Sequence, residues 1–184
     1  MKTIGMKAVG ILALAAGVLA TAGLAATARA GEKPIGKAVV AHGMQISAVY
    51  LQPVTMEPAM PTADGRPDIH LEVVVRATKD NPNGFMETAW IPYLTIAYHL
   101  AKIGSDWRAT GSLMPMVAND GPHYGANVAL SGPGKYRLTL EIAPPIKAGF
   151  FRHTDKETGV AKWWAPIAVH RTFTYVGVGK KGTY

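Results

Sequence analysis

Between Met114 and Gly125 the sequence reads MPMVANDGPHYG, which sets two thioethers and an imidazole around a short turn. Thioether and imidazole are soft to borderline donors and together suit copper. Methionine is also ordinary core filler, so this stretch alone leaves both readings open. If the segment is extended, Met114 and Met116 leave on the same side, because side chains alternate along a strand. Pro115 between them cannot donate to a ladder and points to a strand edge or end. After Asn119-Asp120-Gly121 the chain can fold back and bring His123 near Met116.

A second pair lies in DIHLEVVVR. Leu71, Val73 and Val75 share the face that belongs in a core. His70 and Glu72 therefore point the other way, side by side on the outer face of the sheet. A histidine and a carboxylate at this spacing can ligate one ion or two adjacent ones; an exposed charged pair is the alternative. A third candidate, His153 in FFRHTD, opens a polar loop, where a solvated histidine is the alternative. His99 and His170 fall in strands and suit structural hydrogen bonds. His42 precedes a glycine in a turn.

Other chemistries find little support. The chain has no cysteine, so thiolate ligands and thiol nucleophiles are excluded. G-x-S-x-G and H-E-x-x-H are absent. GPGKY is a hairpin turn, since no helix follows it to make a phosphate loop. Asp68, Glu72 and Asp120 have no spacing that fixes an acid/base pair.

The elements that must position these residues read as strands. IHLEVVVRAT alternates with period two. WIPYLTIAYHLAKI reads as one long strand, RATGSLMPMVA as another, and NDGPHYG as a turn. A strand, a Gly-Pro-Gly turn and a strand follow in ANVALSGPGKYRLTLEIAPP. HTDKETGVAKWW reads as an exposed loop, and IAVHRTFTYVGV closes the chain as a strand. Seven or eight short strands without an amphipathic helix predict an all-β protein, an immunoglobulin-like antiparallel β-sandwich. An eight-stranded barrel is the alternative.

The first thirty residues differ from the rest. Lys2 and Lys7 precede the uncharged AVGILALAAGVLATAGLAA, and ATARA supplies small residues before a cleavage point. Residues 1–30 read as a secretory signal peptide cut between Ala30 and Gly31, with 31–184 as a single domain. An exported chain without cysteine forgoes disulfides and must rely on its hydrophobic core. The leader carries Lys2, Lys7 and Arg29, so the formal charge of +7 falls by three to +4 on its removal. The remaining charge is spread thinly, with no Lys/Arg run beyond Lys180-Lys181, which argues against a nucleic-acid surface. Beyond the leader no apolar run is long enough to span a membrane.

Taken together, DIHLE, DNPNGF, WIPYLTIAY, MPMVANDGPHYG, GKYRLTLEIAPP, RHTDKETGV and the paired Trp163-Trp164 resemble the periplasmic iron-uptake proteins of the P19 type, the Fe2+ transport protein family. The similarity runs in order from about Lys33 to Val178. It implies a homodimeric immunoglobulin-like sandwich in the periplasm that holds copper near the dimer interface. It implies iron as the transported ion, an inner-membrane iron permease as partner, and a metal-binding transport role rather than an enzyme, with redox activity on iron left open. The metal ligands it implies are His70, Glu72, Met116 and His123, with His153 contributed across the dimer. On that reading Met116 and His123 bracket the turn because one ion uses both. Glu72, a harder donor, suits a second, more weakly held ion or iron itself. A copper chaperone or sequestration factor shares the same ligands, and a metal-free structural sandwich is the third alternative.

Overall fold

A computed structural model describes residues 31–60 and 65–177. The leader expected over residues 1–30 lies outside the described residues. Among the described residues nine strands form: β1 (Lys33–Pro34), β2 (Val39–Ala41), β3 (Met44–Leu51), β4 (Ile69–Ala77), β5 (Thr95–Lys102), β6 (Arg108–Ala118), β7 (Gly121–Val128), β8 (Gly134–Ala143) and β9 (Ile167–Tyr175). The only helical piece among the described residues is a 3-10 turn, Pro145–Ala148. No helix among them is long and apolar enough to cross a membrane.

The strands pair antiparallel throughout, in the order β1-β3-β4-β7-β6-β5-β8-β9, with β2 also on β3. The path folds at β6. Its first half, up to Leu113, pairs with β5, whereas Met114 to Ala118 pair with β7. A strand that changes partners in mid-course turns one sheet into two facing layers. Tyr50 of β3 crosses between them, its ring 5.3 Å from that of Phe173 and its hydroxyl donating to the Thr174 carbonyl of β9. The result is the expected all-β, antiparallel, sandwich-like fold, with the curvature of a half-barrel. Pro115 stands just past the last β5-paired residue, where β6 has a partner on one side only, as its missing N–H requires.

Alternation builds the core. Leu71, Val73 and Val75 of β4, Ile96 and Leu100 of β5, and Leu138, Leu140 and Ile142 of β8 are fully buried. Two segments differ from expectation. WIPYLTIAYHLAKI is not one strand, because Pro92 and a left-handed Tyr93 (φ 61°) break it. Trp90 instead bridges Arg76 before β5 starts at Thr95. NDGPHYG is not a turn either. Only Asn119 and Asp120 turn, and His123 lies inside β7.

Candidate metal centre

Three adjacent strands supply one face. The two-residue turn after β6 pairs Ala118 with Gly121, which sets Met116 opposite His123 and Met114 opposite Gly125. On the other side of β7, Glu72 lies opposite Gly125 and His70 opposite Asn127. Residues directly opposite in an antiparallel pair share a face. His70, Glu72, Met116, His123, Gly125 and Asn127 therefore converge on the side away from the core.

That face is covered. His70 is 1% exposed, His123 4% and Glu72 7%, so the open outer face expected from the sequence is corrected. Leu51 at the end of β3 and the segment after it, with Val54, Met56 and Glu57, form one wall of a cleft of about 500 Å³; Met116 and its neighbours on β6 form the other. β4 is consequently buried on both faces from Ile69 to Val73. Glu72 also borders a smaller cleft with Glu32, Arg76 and Asp120.

One ligand atom from each of His70, Glu72 and His123 can be chosen so that all lie within 4.8 Å of one another. His123 Nε2 is 3.9 Å from Glu72 Oε2, and the two imidazoles meet edge-on, with ring centroids 5.8 Å apart. His70 Nε2 is buried and has no hydrogen-bond partner. Buried polar atoms are almost always paired, so this one calls for a ligand. Gly125 lets the His70 ring lie this close to β7. A Cβ there would stand 2.5 Å from His70 Nε2 and 3.2 Å from Met116 Sδ. The imidazole and the thioether thus pack over the bare Gly125 backbone, where any side chain would displace them.

Burial holds the His70 imidazole below the ordinary histidine value of 6.5, against the opposing hydrogen bond to Asn127. Burial likewise lowers His123, against the Gly121 carbonyl and the nearby Asp120. Both rings are therefore neutral near pH 7, the form that ligates metals. The core face of β7 is anchored beneath them. Tyr124 donates to the Ile91 carbonyl (2.8 Å) and accepts from the Leu94 N–H (3.0 Å), and burial raises its phenol to about 12. The donor set of two imidazoles, a thioether and a carboxylate fits copper in either oxidation state, with the carboxylate favouring harder ions.

The sequence of the Fe2+ transport protein family matches this chain over residues 29–177. A UPF0423 protein of Brucella abortus is 52% identical over 163 residues, covering 85% of this chain and 88% of the relative. The chain belongs to the Fe2+ transport protein family. The family likeness extends to the 34 kDa membrane antigen of Treponema pallidum, 35% identical over 139 residues, 73% of this chain and 68% of that one. Among solved structures, copper-reconstituted P19 from Campylobacter jejuni is 51% identical, with a TM-score of 0.77 over 82% of this chain and all of that one. FetP of uropathogenic E. coli strain F11, expressed in the periplasm, is 49% identical, with a TM-score of 0.77 over 80% and 98%.

Four of the five expected ligands thus come together within one chain. His153 does not join them. It is exposed, its Nδ1 2.7 Å from Thr158 Oγ1, in the loop that Asp155 caps by accepting from the Thr158 N–H (2.8 Å). Sequence reasoning missed Gly125, Asn127 and the covering segment. Gly125 and Asn127 carried a signal in their parity with His123 on β7; the cover had none.

Proposed function

We propose that this family member is an exported, periplasmic copper-holding homodimer that supports high-affinity iron uptake with an inner-membrane iron permease. Residues 1–30 serve as the cleaved export signal and 31–184 as one domain. The observation that carries the copper reading is the buried, unpartnered Nε2 of His70, set among His123, Met116 and Glu72. The copper held by the related P19 agrees with it. Met116, His70 and His123 would hold the ion. Glu72, shared between two clefts, would serve a second, harder ion, and iron is the cargo that the family description suggests. Bound copper would supply a one-electron redox centre. The chain contributes neutral imidazoles, a soft donor and a cover that excludes bulk water.

The dimer reading draws on a second region. Phe151, 83% exposed, and Tyr93, 53% exposed, flank Phe150, whose ring stacks on Tyr93 at 5.0 Å. Such apolar surface marks an interaction site. His153, two residues on, would then reach the partner's cleft. Mixing His153→Ala with His123→Ala tests this, because a mixed dimer keeps one intact site. Copper binding should partly return, and no recovery in proven heterodimers rules out a role across the interface.

A copper chaperone or sequestration factor would use the same donors. A deletion strain separates the two: slow growth on limiting iron supports the iron-uptake role. Normal growth there, with sensitivity to copper, would make the protein a copper-handling factor instead.

A further inference from the structure

Asn127 stands opposite His70 in the β4–β7 register, and its side chain touches two things at once. Its Nδ2 donates to the Val54 carbonyl (2.8 Å) and its Oδ1 accepts from the Val54 N–H (3.2 Å). These two contacts fix which end of the amide is which. Rotating it by half a turn would set oxygen against the Val54 carbonyl and the NH2 against the Val54 N–H, opposing like poles. The same Oδ1 lies 3.1 Å from His70 Nδ1. A carbonyl oxygen has no proton to give, so the ring nitrogen must donate. His70 is then the Nδ1–H tautomer, and its lone pair sits on Nε2, the buried atom without a protein partner against Gly125.

We infer that Asn127 is a positioning residue that makes the covering segment set the tautomer of His70. This rests on the copper reading of the cleft. Backbone polarity at Val54 orients the amide, the amide orients the imidazole proton, and the proton leaves Nε2 bare toward the cleft. Closing the cover and presenting the ligand lone pair are one event. When the segment lifts, the amide is free to turn, and the Nε2–H form, which cannot ligate through that atom, becomes accessible. Outer-shell partners of metal-bound histidines commonly act through tautomer and orientation in this way.

Long-range 1H–15N correlation spectra of histidine-labelled, metal-free protein read the tautomer directly. Wild-type His70 should be the Nδ1–H form. Asn127→Leu should populate Nε2–H and weaken copper binding by roughly 10–100-fold, the range for outer-shell changes. Val54→Pro deletes the loop N–H, leaves the Val54 carbonyl to hold the amide, and should shift His70 partly the same way. A wild-type His70 found as Nε2–H overturns the inference, and that measurement needs no variant to fold. So does an unchanged tautomer in folded Asn127→Leu or Val54→Pro. A shifted tautomer with copper affinity unaltered would uphold the positioning role of Asn127 and overturn the copper reading of the cleft.

Discussion

The two sheet faces that point away from the core each carry two histidines and a glutamate. On the face formed by β4, β7 and β6 these are His70, His123 and Glu72. On the face formed by β5, β8 and β9 they are His99, His170 and Glu141. The spacing is similar too: His99, Thr139 and His170 stand in one row across three strands, with Glu141 one step along β8. The outcomes differ. His99 Nε2 lies 3.5 Å from Glu141 Oε1, with side chains 44% and 62% exposed, and His170 Nδ1 lies 3.0 Å from Thr139 Oγ1. Those groups meet water or a hydroxyl and have no need of an ion. On the other face the segment after β3 removes water, Gly125 lets the His70 ring close over β7, and Met116 adds a soft donor. Donor types at the right spacing do not make a metal centre; a cover that strips their water, and a space between them, do.

Removing a donor from each face gives the largest contrast. His123→Ala should weaken copper binding by more than the roughly 10–100-fold typical of outer-shell changes, while His99→Ala leaves it unaltered. Calorimetric titration of both variants checks this, and equal losses would mean the faces are equivalent. Next is the missing side chain at Gly125. The backbone at Gly125 is not left-handed, so alanine fits the strand. Its methyl, however, overlaps the His70 ring, which predicts a cost of about 1–3 kcal/mol on denaturant unfolding together with loss of copper binding. Normal copper binding by Gly125→Ala would show that the close seat of His70 on β7 is not needed.

Carboxylates come third. Glu72→Gln should change copper stoichiometry or spectrum, or reduce iron uptake, with the core face of Leu71, Val73 and Val75 undisturbed. Glu141→Gln should do neither. The smallest effect is on stability against pH in metal-free protein. Burial lowers His70 and His123 below 6.5, so in the window beneath that value the unfolded chain binds more protons than the folded one. Stability is full above about 6.5 and falls as the pH drops through the window. Urea midpoints across that range should decline for wild type and decline less for a His70→Gln, His123→Gln double variant.

Much of this was legible in the sequence. Period-two alternation in IHLEVVVR put Leu71, Val73 and Val75 inward and His70 and Glu72 together on the other side. The Asn119-Asp120 turn, though shorter than NDGPHYG suggested, set Met116 against His123. Burial of that face was not legible. Its cover is a proline-rich connection with no periodicity, held by Asn127, and it lies 73 positions away in sequence. Gly125 reads as an ordinary strand residue until the His70 ring is seen to occupy the place of its missing side chain. Pro92 and Tyr93 hid the late start of β5, because their neighbours carry strong strand propensity. The role proposed for His153 needs a second chain, which one sequence does not display.

The most direct test of the copper centre is anomalous diffraction at the copper edge from a copper-soaked crystal. The principal peak should lie in the covered cleft, at bonding distance from His70 Nε2, His123 Nε2 and Met116 Sδ. A principal peak on the His99–His170 face, or an empty cleft at full copper loading, would contradict the account.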